Sequence, residues 1–169
     1  MRTARDERAR VRGAQGGSVS DLEALFRTHW PRSYRAAYLV THDAAAAEDI
    51  AQESFLAALR ALDTFDRRRP FGPWLHRIVV NRAIDWTRAR RLRSEVELSD
   101  ALHGPTRDEA PGEDVLAALA RLPPEHRAVV VMRYLLEFTP GEIADALGLP
   151  RGTVNSRLRR GLDALGEEL

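Results

Sequence analysis

A chain of 169 residues and 19.0 kDa has room for one ordinary core or two small ones, which excludes a large multilayer enzyme. All 26 cations are arginine, set against 25 acids for a net charge of +1, and the absence of cysteine excludes disulfides, thiol redox sensing and cysteine-based zinc sites. No stretch approaches the roughly 20 apolar residues of a membrane span and the N-terminus has no apolar signal core, so a cytoplasmic protein without membrane insertion is expected.

The near-neutral total conceals segregation. Between Thr64 and Arg93, nine arginines against Asp66 and Asp85 give +7, whereas between Ser94 and Val115, seven acids against Arg107 give −6. Two different electrostatic tasks are implied.

In chain order, residues 1–19 hold five arginines, three glycines and almost no large apolar side chain, and a disordered basic tail is expected there, either an inert leader or an arm on nucleic acid. Ser20 and Asp21 are placed to cap a helix carrying Leu22, Leu25, Phe26 and Trp30, with Pro31 forcing a kink or restart before Tyr34, Tyr38 and Leu39. A second helix is predicted from about Ala44 to Leu62, burying Ala51, Phe55, Ala58, Leu59 and Leu62 on one face. Opposite lie Asp49, Gln52, Glu53, Leu56 and Arg60, either a solvated face or a docking surface. After the Arg67, Arg68, Arg69 run, Pro70 opens a third helix to about Arg93, with Leu75, Ile78, Val79, Ala83 and Trp86 as its buried stripe. Arginines beside Phe71, Trp74, Trp86 and Asn81 suit melted nucleic acid, although both tryptophans also fit a core.

From Ser94 to about Gly112 the periodicity fails and a flexible acidic linker is expected. Four short helices follow, at about Glu113 to Arg121, Pro124 to Leu136, Thr139 to Leu147 and Arg151 to Leu169. Thr139, Pro140, Gly141 and Glu142 read as a capping box with proline at the first helical position, and Gly148 as a left-handed C-cap. Val154, Leu158, Leu162 and Leu165 then pack inward, leaving Arg151, Asn155, Ser156, Arg159 and Arg160 outward. A braced helix with a polar outer face suits the major groove, and a helical hairpin with a solvated basic side is the plainer alternative. The fold class is therefore all-α, with two small helical domains, 20–93 and 112–169, joined by the linker 94–111. The five histidines form no HExxH pair, and neither a phosphate loop nor a nucleophile elbow is seen, so neither enzymatic activity nor a metal or other cofactor is expected.

The strings AEDIAQESFLAALRAL (Ala47 to Leu62), FGPWLHRIVVNRAIDWTRARR (Phe71 to Arg91) and LPPEHRAVVVMRYLLEFTPGEIADALGLPRGTVNSRLRRGLDAL (Leu122 to Leu165) together closely resemble the extracytoplasmic-function (ECF) family of bacterial RNA polymerase sigma factors, in the sigma-70 superfamily. The resemblance implies an initiation factor with two promoter-binding regions, region 2 and region 4, that binds core RNA polymerase and helps melt DNA. Asp49, Gln52, Glu53 and Leu56 would meet the clamp coiled coil of the largest subunit. Asp66, Arg67, Arg68, Arg69, Phe71, Arg77, Asn81 and Arg88 would serve recognition of the −10 element and capture of a flipped base. Arg133, Arg151, Thr153, Asn155, Ser156, Arg159 and Arg160 would serve the −35 element, while region 4 also meets the polymerase flap. An anti-sigma factor is an expected further partner. The acidic linker would run through polymerase in imitation of RNA or act only as a spacer. The alternative is a helix-turn-helix regulator that binds duplex DNA without sigma activity.

Overall fold

The computed structural model describes residues 2–97 and 113–168, all of whose regular elements are helical. They are α1 (Arg2–Gln15), α2 (Val19–Thr41), α3 (Ala44–Arg60), a 3-10 turn (Leu62–Thr64), α4 (Phe71–Glu97), α5 (Glu113–Arg121), α6 (Pro124–Tyr134), α7 (Pro140–Leu147) and α8 (Arg151–Glu168). The first block packs α2 against α1, α3 and α4; in the second, α8 packs against α5, α6 and α7. The expected linker begins later than Ser94, since α4 continues to Glu97, and its remainder lies outside the described residues.

Residues 1–19 depart from the expected disordered tail. Residues 2–15 form α1, whose Val11 is only 2% exposed and joins the core. Arginine and alanine are good helix formers, and the stability comes from docking on α2 rather than from an apolar stripe. The start of α2 also differs: Ser18, not Ser20, supplies the cap, its hydroxyl accepting from the Asp21 amide at 3.3 Å. Pro31 lies inside an unbroken α2. An interior proline costs about 3 kcal/mol, and here buried Leu25 on one side and Ser33, Ala36, Ala37, Leu39 and Val40 on the other hold both halves to the same neighbours.

Asp43 caps α3 by accepting from the Ala46 amide at 2.9 Å and also receives Arg90 Nη1 at 2.8 Å, tying the start of α3 to the far half of α4. The Ala46 amide and Arg90 hold its carboxyl below the usual carboxylate range. On α4, Leu75, Val79 and Ala83 are buried as expected, while Ile78 and Trp86 are only partly covered; Val80 and Ile84 complete the seam.

The two blocks are in contact, α6 lying on α2 and α4, and α7 on α4. Arg127 of α6 is buried between them, donating from Nη1 to the Val40 carbonyl at 2.7 Å and from Nη2 to Ala120 and Leu122 at 2.9 Å each. Burial without a carboxylate lowers its pKa to about 10.

Two histidines make the packing acid-sensitive. Burial, with Arg127 beside His42 and with His29 and Arg32 beside His76, pushes each pKa down to about 4. The unfolded chain, near 6.5, binds these protons first, so their contribution is intact above pH 6.5 and is lost as pH falls toward 4. Urea-unfolding stability is expected to fall across that window by up to about 1.4 kcal/mol per pH unit for His76, and by less for half-buried His42, which solvent screens. A His42→Gln, His76→Gln double variant should have a flatter profile; an equal slope in variant and wild type would contradict this origin.

Candidate nucleic-acid interface

Three surfaces carry the residues that the sequence singles out. On α3, Asp49, Gln52, Glu53 and Leu56 are all exposed, Leu56 at 46%. Glu53 is not free, because its carboxylate takes Arg82 Nη1 at 3.0 Å. Gln52 and Leu56 border an apolar groove of about 360 Å³ whose walls include Val19, Leu22, Phe26, Phe55 and Leu59. Sequence reasoning assigned Leu59 to the buried stripe, yet it stands partly open at the groove, and Phe26 stacks on Trp30 at 4.9 Å to form the opposite wall. The groove joins the start of α2 to the second half of α3, and only the surplus of large apolar residues on α2 signalled it.

The second surface is the loop after the 3-10 turn together with α4. Asp66 folds the loop onto itself, accepting from the Arg68 backbone amide at 3.0 Å and from its guanidinium at Nε and Nη2. Arg68 thereby holds the Asp66 carboxyl below its usual range. Arg67 and Arg69 are exposed beside this turn. Phe71 corrects the expectation of a DNA contact: it is 4% exposed, packed 5.8 Å from Phe65, 5.6 Å from Trp74 and 5.4 Å from His29. An aromatic ring there is worth more in the apolar cluster than in water. Trp74 and Trp86 also lean on the core, Trp86 with Arg90 above its ring at 5.1 Å.

Further along α4, Arg77 is exposed, and Asn81 donates its amide to the Arg77 carbonyl at 3.0 Å and to the Ala146 carbonyl of α7 at 3.1 Å. Arg88 Nε stands 3.6 Å from Glu125 of α6. A cleft lined by Arg69, Pro73, Trp74 and Arg77 on one side is closed by Phe138, Glu142 and Asp145 on the other. The second helical block therefore stands over the part of α4 that bears Asn81, while Arg77 stays exposed at the rim of the cleft.

The third surface is the helix-turn-helix, α7 and α8. The Thr139 hydroxyl accepts from the Glu142 amide at 3.3 Å and Glu142 Oε2 accepts from the Thr139 amide at 2.7 Å, the reciprocal capping box. Gly148 takes φ +63°, the left-handed turn that a glycine permits. Ile143, Ala144 and Ala146 of α7 meet Val154 and Leu158 of α8 in the core, whereas Leu162, expected inward, is 41% exposed. Gly161 was overlooked: a Cβ there would stand 2.9 Å from Val130 Cγ2, so its small size permits α8 to cross α6 closely. Arg151, Asn155, Arg159 and Arg160 are exposed, while Thr153 and Ser156 are half-buried. Arg133 donates from Nη1 to the Phe138 carbonyl at 3.2 Å, bracing the turn into α7.

Among the described residues no group of three or more histidine, aspartate or glutamate side chains is arranged to hold a metal ion, and no helix is long and apolar enough to cross a membrane.

Comparison with known proteins agrees with this layout. The family model of Sigma-70 region 2 matches residues 25–93, and that of Sigma-70 region 4 matches residues 112–165. The chain is 37% identical over 162 residues to the ECF RNA polymerase sigma factor SigE of Mycolicibacterium smegmatis, covering 90% of this chain and 63% of that protein. It is 31% identical to SigW of Bacillus subtilis, with 95% of each chain covered, and 35% identical to SigL of Mycobacterium tuberculosis, with 93% of each covered. Among solved structures, CnrH in complex with the cytosolic domain of CnrY superposes with a TM-score of 0.70 at 27% identity over 96% of each chain. The sigma factor RpoE of Bartonella quintana, co-crystallised with the anti-sigma factor NepR, has the same fold, with a TM-score of 0.73 at 22% identity over 89% of this chain and 97% of that one. With both sigma regions matched in order and relatives aligned over nearly their full length, the chain belongs to the sigma-70 family, and within it to the ECF sigma factors.

Proposed function

We propose that this protein is a cytoplasmic alternative sigma factor that binds core RNA polymerase, selects promoters through their −10 and −35 elements and assists melting, with no catalytic chemistry of its own. The observation that carries the reading is the conjunction, in one chain, of an exposed α3 face, a basic loop and helix, and a capped helix-turn-helix with polar residues outward. A simple helix-turn-helix regulator leaves the first two unused. In this reading Asp49, Gln52 and Leu56 dock on the polymerase clamp, with the groove beside them receiving an apolar side chain of the partner. Glu53 contributes by orienting Arg82.

Arg67, Arg69 and Arg77 supply cations to the DNA backbone near the −10 element, Asp66 and Arg68 fix the loop shape, and Asn81 receives an extruded base. Extrusion costs a few kcal/mol, which only a formed pocket offsets. The Asn81 amide is already engaged by Ala146, so promoter opening requires region 4 to lift from α4. In region 4, Asn155 and Arg159 read −35 bases, Arg151 and Arg160 serve phosphates, Thr153 and Ser156 pack the helix start against the backbone, and Arg133 positions the turn. CnrH, which has this fold at 27% identity, is seen bound to the cytosolic domain of CnrY; a comparable partner here, acting as an anti-sigma factor, would keep region 4 closed.

Run-off transcription with purified core polymerase over a promoter library tests the reading: promoter-dependent transcripts without added nucleotide hydrolysis are expected, and their absence from a folded, core-bound protein would end it. Asp49→Arg with Gln52→Ala should weaken core binding at unchanged helical content, and equal affinity would remove this face from the interface. Loss of a base-reading pair typically costs about 1 to 3 kcal/mol and relaxes one position, whereas loss of a phosphate contact lowers the salt slope by about one. Asn155→Ala or Arg159→Ala should therefore alter the selected −35 sequence, while Arg133→Ala should lower affinity without changing preference; an unaltered −35 preference in both recognition-helix variants contradicts the assignment.

A further inference from the structure

We propose that α1 is a clasp that holds the −10 recognition loop in shape, and that Glu7 and Gln15 are positioning residues for −10 selection. The inference rests on the sigma reading for what the loop recognises, and on separate observations for how the loop is held.

The loop, residues 66–70, has two stems. One ends at Leu62 and Phe65, the other begins at Phe71 and Gly72, the first turn of α4. Gln15, the last residue of α1, donates Nε2 to the Leu62 carbonyl at 2.8 Å and to the Phe65 carbonyl at 3.1 Å. One carboxamide thus joins both ends of the first stem, from 47 and 50 residues away. The carboxylate of Glu7 lies 2.9 Å from His29 Nε2, and His29, with a smaller contribution from the backbone amides of Phe71 and Gly72, holds it below the usual carboxylate range. These amides belong to the opening turn of α4, which has no preceding helical carbonyls and favours a negative charge.

Glu7, Val11 and Gln15 recur every four residues, so they share one face of α1, with about 12 Å of helix between the outer two. Val11 in the middle is fully enclosed and anchors the helix. The seat is tight at the second stem: a Cβ at Gly72 would stand 2.9 Å from His29 Cε1 and 3.2 Å from Nδ1, so a glycine lets α2 carry His29 up to the Glu7 carboxylate. Beneath the loop, Phe65 packs on Trp74 at 4.5 Å, making a floor whose height depends on both stems. The exposed residues Arg67, Arg68 and Arg69 make none of these contacts with α1. Through the stems, α1 sets their span without touching DNA.

The competing role for α1 is a direct phosphate contact through Arg5, Arg8 or Arg12, which are exposed. The two differ in outcome. A clasp governs which −10 sequence is selected; a phosphate contact governs salt dependence.

The test uses the full chain with Gln15→Ala, Gln15→Glu, Glu7→Ala, Glu7→Gln and the pair Arg8→Ala, Arg12→Ala. In the free protein, amide hydrogen exchange at residues 66–72 should quicken by roughly fivefold to tenfold in Gln15→Ala and Glu7→Ala, the scale of one or two lost hydrogen bonds. Glu7→Gln, which keeps an acceptor oxygen, should restore most of the protection, while Gln15→Glu, which sets a carboxylate against two carbonyls, should lose more than alanine does. In holoenzyme, the two alanine variants should broaden −10 preference in a promoter library while core affinity and −35 preference stay at wild-type values. Wild-type exchange in both alanine variants overturns the clasp, and so does an equal loss at −10 and −35, which marks general destabilisation. A change of −10 preference in the arginine pair with none in the Gln15 and Glu7 variants overturns it in favour of direct contact. Should wild-type holoenzyme fail to transcribe, the sigma reading falls while the exchange result still decides whether α1 holds the loop.

Discussion

Arg127 gives up its hydration to sit 6% exposed between the two helical blocks, and the compact form of the protein depends on how that cation is compensated. It finds three carbonyls and no carboxylate, and its Nε has no partner. A buried charge with neutral partners remains costly. The polar contacts across the blocks are of the same exchangeable kind, Asn81 to the Ala146 carbonyl, Arg88 beside Glu125, and Arg32 3.7 Å from Glu137, and they border an apolar cluster that runs through both blocks. Water can replace each of them when the blocks part.

That arrangement gives a physical reason for a sigma factor to hold its DNA-reading groups in reserve. The face of α4 that bears Arg77 and Asn81 is the face against which α7 is laid, while Asn155 and Arg159 on α8 remain in solvent. On the proposed assignment, the −35 side is open in the closed molecule, whereas on the −10 side Asn81 is engaged by the Ala146 carbonyl. Core polymerase, by engaging the α3 face and drawing region 4 away, would expose Asn81 at the moment a melted strand is present to fill it. The loop beside it meanwhile keeps its form, through Asp66 on one side and the two stems on the other.

What was legible in the sequence was the local chemistry. Thr139 to Glu142 and Gly148 specify cap and turn within a few residues, and the 3.6-residue period of Val154 and Leu158 identifies the inner side of α8. What was not legible depends on partners far along the chain. Residues 2–15 carry a single large buried apolar residue, so composition alone argues for disorder; the helix is held by Gln15 bonding to carbonyls about fifty residues away and by Glu7 meeting His29 of α2. Phe71 stands in an arginine-rich stretch and reads as a nucleic-acid contact until Phe65, Trp74 and His29 are seen around it. Pro31 breaks a helix by local rules, yet packing on both sides carries α2 through it. Contact between the two blocks has no local signature at all, because Arg127 looks like any other surface arginine in an amphipathic pattern.

The closed-to-open account can be tested in one measurement, helped by a chain that has no native cysteine. Cysteines placed at Arg32 and Glu137, which face each other across the blocks, can be bridged with a short cleavable bis-maleimide. Promoter-dependent run-off by core polymerase is then compared before and after the bridge is cut. The account predicts little transcript from the bridged protein and wild-type levels once it is released. Equal transcription from the bridged and released forms would contradict it, since region 4 would then have no need to leave Asn81.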